Sequence, residues 1–332
     1  MHALVRYVLA ATIGVTASLQ ALPEDLPQDW IDPAIDTITS PINETDRWNY
    51  VMNARIRLLL FWTTSEDVGG GEIVKGSLRS EPLSKVIRLI IGSDPSKTPR
   101  KINYWGSAKE IRRPAFQETL FFGFKNAPKT TSREEADEKT AEKTVFPFDA
   151  AISRATPAEF LSRSASLKSG QDYTSRDLVP AQNAILRTLS GDEGRVRSLT
   201  TAREGCLKTS GFLGSVERLV QHAIERGVTP AMTCYVYNAR YYTITLKKNS
   251  AVDEKKVKFE LRNGKLFERH YKDLRLAKFE VLNTESGGRT DFDLVLGTSG
   301  EIRGVPVQIH YQPSWWFQVV LNLDRNGGEI NP

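Results

Sequence analysis

The sequence predicts an α+β protein that is mainly antiparallel β, built as a β-sandwich or as open half-barrel sheets with a few helices packed on one face. Apolar residues recur at every second position between turn signals from 233 to 324, which is typical of half-buried strands. Asn263-Gly264 lies between two such runs and is a strong hairpin signal. We expect the helices to occupy the middle of the chain, within residues 146–228, where apolar residues recur at helical spacing.

The last hundred residues predict an antiparallel meander of seven short strands. Aromatic and β-branched residues mark the first, which is either one long strand or two strands joined by a bend at Asn238. Gly287-Gly288, Gly300 and Gly304 mark later turns. The seven predicted strands cover residues 232–246, 256–262, 265–271, 274–282, 292–296, 305–309 and 315–323.

The turn at Asn263-Gly264 allows two registers. A two-residue turn pairs Phe259 with Glu268 and places Glu268 and His270 on the apolar face. A three-residue turn with a glycine bulge pairs Phe259 with Phe267 and turns His270 outward. We predict the bulged turn, because the first register buries two ionisable groups, and we therefore expect His270 to be exposed and not catalytic.

The segment FDLVLGTSGEIRGVPVQIHYQPSWWFQVVLNL near the C-terminus resembles the tails of uncharacterised periplasmic β-proteins of Gram-negative bacteria. An F-x-L-x-L strand is followed by a V-P-V-x-I strand and a final apolar one. The matching residues are Phe292, Leu294, Leu296, Val305, Pro306, Val307 and Ile309. The stretches DVGGGEI and IIGSDPSKTPRKINYWG also resemble segments of secreted bacterial proteins of unknown function. This resemblance implies a fold and a compartment, and no activity.

The first 21 residues have the layout of a secretory signal peptide. Arg6 precedes the apolar core YVLAATIGV, and small residues follow toward Ala21. A buried N-terminal helix is the alternative. The signal predicts a periplasmic or secreted protein, and no later stretch is long and apolar enough to predict a transmembrane segment in the mature chain. The two cysteines, Cys206 and Cys234, then predict one disulfide.

Composition divides the rest of the chain into five regions. We expect an acidic, proline-rich extended arm at 22–46, an N-terminal β region at 47–128, a charged linker at 129–145, a helical region at 146–228 and the meander at 229–325. Within the helical region, a capping box at Thr156 predicts one helix, and two more are predicted at 180–189 and 215–226.

The sequence carries no local catalytic or metal-binding motif. After removal of the signal three histidines remain, none at metal-ligand spacing, and the glycines at 69–71 are not followed by a phosphate-binding helix. GTSG at 297–300 lies in a turn between strands, so it is no serine-hydrolase elbow. We therefore predict no cofactor and no metal. A carboxylate pair assembled from distant segments stays open as a hydrolase alternative.

A basic segment at 97–113 is the best candidate for a binding surface, because Tyr104 and Trp105 lie among cations. Stacking combined with positive charge suits anionic glycans, lipid headgroups or nucleic acid, and export argues against nucleic acid. The alternative is a solvated loop with a core tryptophan. The candidate ligand-binding residues are Arg100, Lys101, Tyr104, Trp105, Lys109, Arg112, Arg113 and, on the final strand, Trp316.

Opposite charge suggests that the acidic arm packs near this basic segment, held by apolar anchors such as Trp30 and Ile35. Three function classes remain. The first, which the lack of catalytic motifs favours, is a non-enzymatic envelope protein that binds an apolar or anionic ligand or a protein partner. The others are a hydrolase of cell-envelope polymers and a structural or assembly component.

Overall fold

The computed structural model describes residues 30–58, 61–98, 103–126, 146–156, 160–169, 178–190, 195–199, 211–225, 231–237, 240–260, 266–314 and 317–324. Three helices lie in these residues: α1 (Ile31–Thr39), α2 (Leu178–Ser190) and α3 (Phe212–Glu225). The strands are β1 (Ile42–Leu58), β2 (Phe61–Leu78), β3 (Glu81–Ser93), β4 (Asn103–Arg112), β5 (Gln117–Asn126), β6 (Phe146–Ala155), β7 (Phe160–Ser169), β8 (Arg195–Leu199), β9 (Ala231–Tyr237), β10 (Arg240–Glu260), β11 (Leu266–Asn283), β12 (Arg289–Gly297), β13 (Pro306–Ser314) and β14 (Phe317–Asp324).

Within the described residues, all the strands form one sheet, and each hydrogen-bonded pair of neighbours is antiparallel. The order is β8 to β1 and then β14 to β9, so the first and last strands of the described residues are neighbours near the centre. The predicted class, mainly antiparallel β with a few helices, is confirmed.

The sheet curls into a nearly closed barrel. Side chains from strands far apart in the sheet order share one core: Ile87 of β3 and Phe121 of β5 belong to the same buried cluster as Ile244 of β10 and Phe279 of β11. Helix α3 lies in this core, with Leu219 and Val220 buried in the cluster. Non-local apolar contacts therefore join the two halves of the sheet across its interior.

Helices α1 and α2 cover the other face of β3 to β7. Ile31, Ala34 and Ile38 are spaced three and four residues apart, so they form one apolar stripe of α1 and are fully buried. They pack in a cluster that includes Trp105 and Phe122 of the sheet and the buried residues of α2. These helices pack outside the barrel, whereas α3 packs inside it.

Alternation along β4 explains how both faces of the strand are used. Ala108 belongs to the interior cluster, whereas Trp105 and Ile111, each three positions away, belong to the outer one. Successive side chains of a strand point to opposite faces. The same alternation runs through β5, where Phe121 is interior and Phe122 is outer.

Three local expectations were wrong. The segment expected to be an extended arm contains α1 and the first residues of β1. The helix predicted from the capping box at Thr156 is replaced by β7, because ten-residue pairing with β6 outweighs a local helix-start signal. In the described residues the C-terminal meander has six strands rather than seven: β10 and β11 each join two predicted strands, and the first predicted strand, 232–246, contributes to both β9 and β10.

Other expectations are confirmed. Helices α2 and α3 lie at the two remaining predicted helices, and the part of the arm that the structure describes does pack near the basic segment through Trp30, which is 5% exposed. In the hairpin of β10 and β11, Phe259 pairs with Phe267 and Val257 with Arg269, as the bulged turn requires. His270 is correspondingly exposed.

Candidate functional site

A partly open apolar cavity of about 210 Å³ lies in the barrel beside α3. Strands β1 to β3 and β12 to β14 supply much of its wall, and α3 supplies another part through Phe212, Val216 and Val220. Phe212 makes edge contacts with Tyr235 and Phe292, with ring centroids 5.6 and 6.2 Å apart. A cavity with mainly apolar walls and a few polar groups is the usual form of a small-molecule site.

The sequence of α3 determines which face of the helix lies against the cavity. Phe212, Val216 and Val220 recur four residues apart, so they share one helix face and reach the cavity together. Leu219 and Ala223 pack into the interior core beside them. The helix is therefore a wall of the cavity as well as part of the core.

An ion pair lies in the cavity wall. The Nζ atom of Lys75 on β2 is 2.7 Å from an Oε atom of Glu217 on α3, and both residues line the cavity. The ammonium of Lys75 also lies 5.6 Å from the centre of the Trp48 ring, within cation–π range. The other Oε atom of Glu217 accepts a hydrogen bond from the Arg112 guanidinium.

These cations control the charge of Glu217. Burial alone would raise the pKa of its carboxyl, but the hydrogen bond and positive charge of Lys75, together with Arg112, lower that pKa below its usual value. Glu217 is therefore ionised at neutral pH, and both cations contact one carboxylate.

A second carboxyl, that of Glu110 on β4, is completely buried below the first turn of α3. It accepts the backbone N–H groups of Leu213 at 2.7 Å and Gly214 at 2.9 Å. Burial raises its pKa to about 7, against the lowering effect of these N–H groups and of Arg112. Gly211 leaves room for this contact, since a Cβ atom there would lie 2.4 Å from an Oε atom of Glu110.

Tyr235 on β9 is another residue of the cavity lining. Its side chain is 1% exposed, and among the described residues its hydroxyl oxygen has no hydrogen-bond partner. Its ring stacks on that of Tyr242, with centroids 5.0 Å apart. Burial raises the pKa of Tyr235 well above its ordinary value, so the hydroxyl keeps its proton and can act as a donor.

Five of the eight predicted ligand-binding residues lie in the described part of the chain, whereas Arg100, Lys101 and Trp316 lie outside it. Trp105 is buried in the outer core and makes an edge contact with Phe122. Tyr104 is half-buried, and burial raises its pKa to about 12.

The three remaining basic residues point to different partners. Lys109 is buried and donates to the backbone oxygens of Ile38 at 2.5 Å and Ser40 at 3.0 Å, at the end of α1. Arg112 contacts Glu217 in the interior, and Arg113 pairs with Glu118 at 2.9 Å. Strand alternation therefore divides the predicted surface, and a ligand-binding role for these residues stays a prediction.

Sequence reasoning missed Lys75, Glu110, Glu217 and Tyr235. Each sits in a different element, and only closure of the barrel around α3 brings them together. One feature of the sequence pointed toward this site, namely the amphipathic pattern of α3, in which Glu217 directly follows the apolar residue Val216.

His270 lies at a separate, polar cleft beside the turn at Gly300–Ile302. Its Nδ1 atom is 2.5 Å from Glu254 and its Nε2 atom is 2.9 Å from Glu268. Its side chain is 44% exposed, which agrees with the expected outward orientation. In the described part of the chain no group of His, Cys, Asp and Glu is arranged to hold a metal ion.

Comparisons with known proteins identify no family for this chain. No family model and no curated protein matches the sequence. A solved structure, the β-barrel-like protein of a domain of unknown function, DUF1849, from Brucella abortus, is similar with a TM-score of 0.43 and 8% identity over 86% of this chain and 97% of that one. Among the described helices, none combines the length and apolar character needed to cross a bilayer.

Proposed function

We propose that this chain is an exported, non-enzymatic binding protein that holds a small apolar ligand inside its barrel. The observation that carries the proposal is the 210 Å³ cavity, whose wall combines apolar strand residues with one face of α3. Export is supported by the signal-like residues 1–21 and by the two cysteines.

The size of the cavity limits the ligand. An engineered cavity of about 150 Å³ in another protein binds benzene, so this one suits a single ring or a short alkyl chain. Burial contributes about 0.8 kcal/mol for each CH₂ group, which gives roughly 6 kcal/mol for eight carbons. We therefore expect dissociation constants between about 0.01 and 1 mM.

Calorimetric titration of the purified protein with 1-octanol tests the proposal. We expect saturable binding and a melting temperature that rises with octanol concentration, because a ligand that binds only the folded state stabilises it. Val216→Trp fills the cavity from α3 and should abolish both effects. Val179→Trp on α2 is the matched control, since Val179 is 66% exposed, and it should bind octanol as the natural chain does.

Two outcomes of these titrations would reject the proposal. If octanol produces neither saturable heat nor a rise in melting temperature, the cavity does not bind apolar ligands and the proposal fails. Equal binding by Val216→Trp and the natural chain would place the octanol elsewhere on the protein and would also reject it.

A further inference from the structure

Positive charge exceeds negative charge at the ion pair in the cavity wall. Lys75 and Arg112 both contact the carboxylate of Glu217, so two cations share one anion. Glu110 also lies near Arg112, but burial raises the pKa of its carboxyl to about 7, so near neutrality it cancels only part of the remaining charge. The polar end of the cavity is therefore suited to a further negative group.

Hydrogen-bond donors also remain at this end. An ammonium has three N–H donors, and Glu217 accepts one from Lys75. Behind Glu217, the Nε atom of Arg112 is buried and has no hydrogen-bond partner among the described residues, and the same holds for the hydroxyl of Tyr235, another lining residue of the cavity. Buried donors without partners cost free energy, and a ligand group rich in acceptors would remove part of that cost.

From this arrangement we infer that the ligand is an anionic amphiphile, an alkyl carboxylate whose short chain lies in the cavity and whose head group binds Lys75. This inference rests on the proposed function, since it names the ligand class of the same cavity. Lys75 is the group that can take the carboxylate, because it lines the cavity and is held over Trp48. A carboxylate offers two acceptor oxygens to these donors and carries the charge that the two cations attract.

Other head groups fit less well. An alkylammonium would meet two cations and could use only Glu217, whose two oxygens already accept bonds from Lys75 and Arg112. An alcohol has one oxygen and no charge, so it gains nothing from the excess positive charge. Comparing ligands with these three head groups therefore distinguishes recognition of a carboxylate from binding of the alkyl chain alone.

Calorimetric titrations with octanoate, 1-octanol and octylammonium at pH 6.5 compare head groups on one chain length. We expect octanoate to bind at least about tenfold more tightly than octanol, and octylammonium to bind most weakly. Equal affinity of octanoate and octanol would overturn the inference and leave the apolar cavity intact. Absence of binding by all three would instead reject the proposed function.

Two variants test which residue holds the head group. Lys75→Met should weaken octanoate binding about tenfold and change octanol binding less than about twofold, because only the charged head loses its partner. Lys85→Met, at an exposed position of β3, is the matched control and should change neither. Unchanged octanoate binding by a folded Lys75→Met would overturn the inference.

Glu217→Gln works in the opposite direction. It removes the carboxylate that competes for Lys75, so octanoate should bind more tightly than it does to the natural chain, whereas octanol should not. If Lys75→Met does not fold, Glu217→Gln together with the three-ligand series decides the question. Weaker octanoate binding by Glu217→Gln would count against the inference.

Discussion

The carboxylate of Glu110 on β4 accepts the backbone N–H of Gly214 at 2.9 Å, and this bond attaches the sheet to the first turn of the helix inside the barrel. A second bond, from the N–H of Leu213, uses the other carboxylate oxygen. The first N–H groups of a helix have no partner within the helix and carry partial positive charge. Glu110 therefore supplies to α3 the acceptors that a capping side chain usually provides.

The burial of Glu110 predicts a pH dependence of stability. Its pKa is about 7 in the folded protein and about 4.5 in the unfolded chain, so between these values the folded state binds more protons. Its contribution to the free energy of unfolding is therefore fully present below pH 4.5 and is lost as the pH rises to about 7. The expected loss is about 3 kcal/mol.

Denaturant unfolding of the natural chain and of Glu110→Gln across pH 4 to 8 measures this contribution. The difference in unfolding free energy between them should fall across the window and level off above it, because glutamine does not titrate. The groups around position 110 are the same in both proteins, so their contributions to the unfolding free energy cancel to first order in the difference. These groups are Arg112, Glu217, Gln117 and Tyr235. Parallel pH profiles for the two proteins would contradict the prediction.

Glu118 on β5 is predicted to be a strong contributor to stability. Its carboxylate is completely buried and pairs with Arg113 at 2.9 Å and Arg154 at 2.6 Å. Glu118→Gln leaves Arg113 paired with Glu81 alone and removes the charged acceptor of Arg154, and loss of a partner from a buried polar group costs about 1 to 3 kcal/mol. We expect Glu118→Gln to lower the free energy of unfolding by about this amount in denaturant titrations.

Glu81→Gln provides the control, because Glu81 pairs with the same Arg113 but its side chain is 41% exposed. An exposed ion pair contributes about 0 to 1 kcal/mol, so this variant should lose little stability. Equal losses for Glu81→Gln and Glu118→Gln would show that burial does not set the strength of the cluster.

The strands could be predicted from the sequence because their signal is local. Alternate apolar residues at Phe292, Leu294 and Leu296 mark β12, and the choice of turn between β10 and β11 followed from the cost of burying Glu268 and His270. The capping box at Thr156 is also a local signal, but pairing of β7 with β6 decided that segment. Local propensity fails where a neighbouring strand offers a full ladder of hydrogen bonds.

The candidate site could not be predicted, because no local spacing relates its residues. Lys75 and Glu217 are 142 positions apart and meet only after the sheet has closed around α3. The cluster of basic residues that did stand out, around Trp105, is divided between two faces of β4. Charged residues that follow one another along a strand lie on both of its faces, because successive side chains point in opposite directions. The position of the strand in the sheet then decides what each face contacts.

The predicted disulfide would add a covalent bond between β9 and the segment that precedes α3. Cys234 on β9 is buried, no cysteine in the described part of the chain is free, and the backbone oxygen of Cys234 accepts the Ser215 hydroxyl of α3 at 3.4 Å. Cys206 lies outside the described residues, so its pairing with Cys234 stays a prediction. A bond between them would close a loop with 27 residues between the cysteines, and that loop contains all of α3.

A cross-link of this length stabilises a protein by about 3 to 4 kcal/mol when it restricts the unfolded chain. Replacing both cysteines by serine should therefore lower the free energy of unfolding of oxidised protein by that amount. Reducing agent should lower the stability of the natural chain to the same level and leave the double variant unchanged, because only the natural chain has a bond to reduce. Two free thiols in protein isolated from an oxidising compartment, or a reductant effect on the double variant, would contradict this prediction, and α3 would then be held to the sheet by non-covalent contacts alone, among them those of Glu110 and of Glu217.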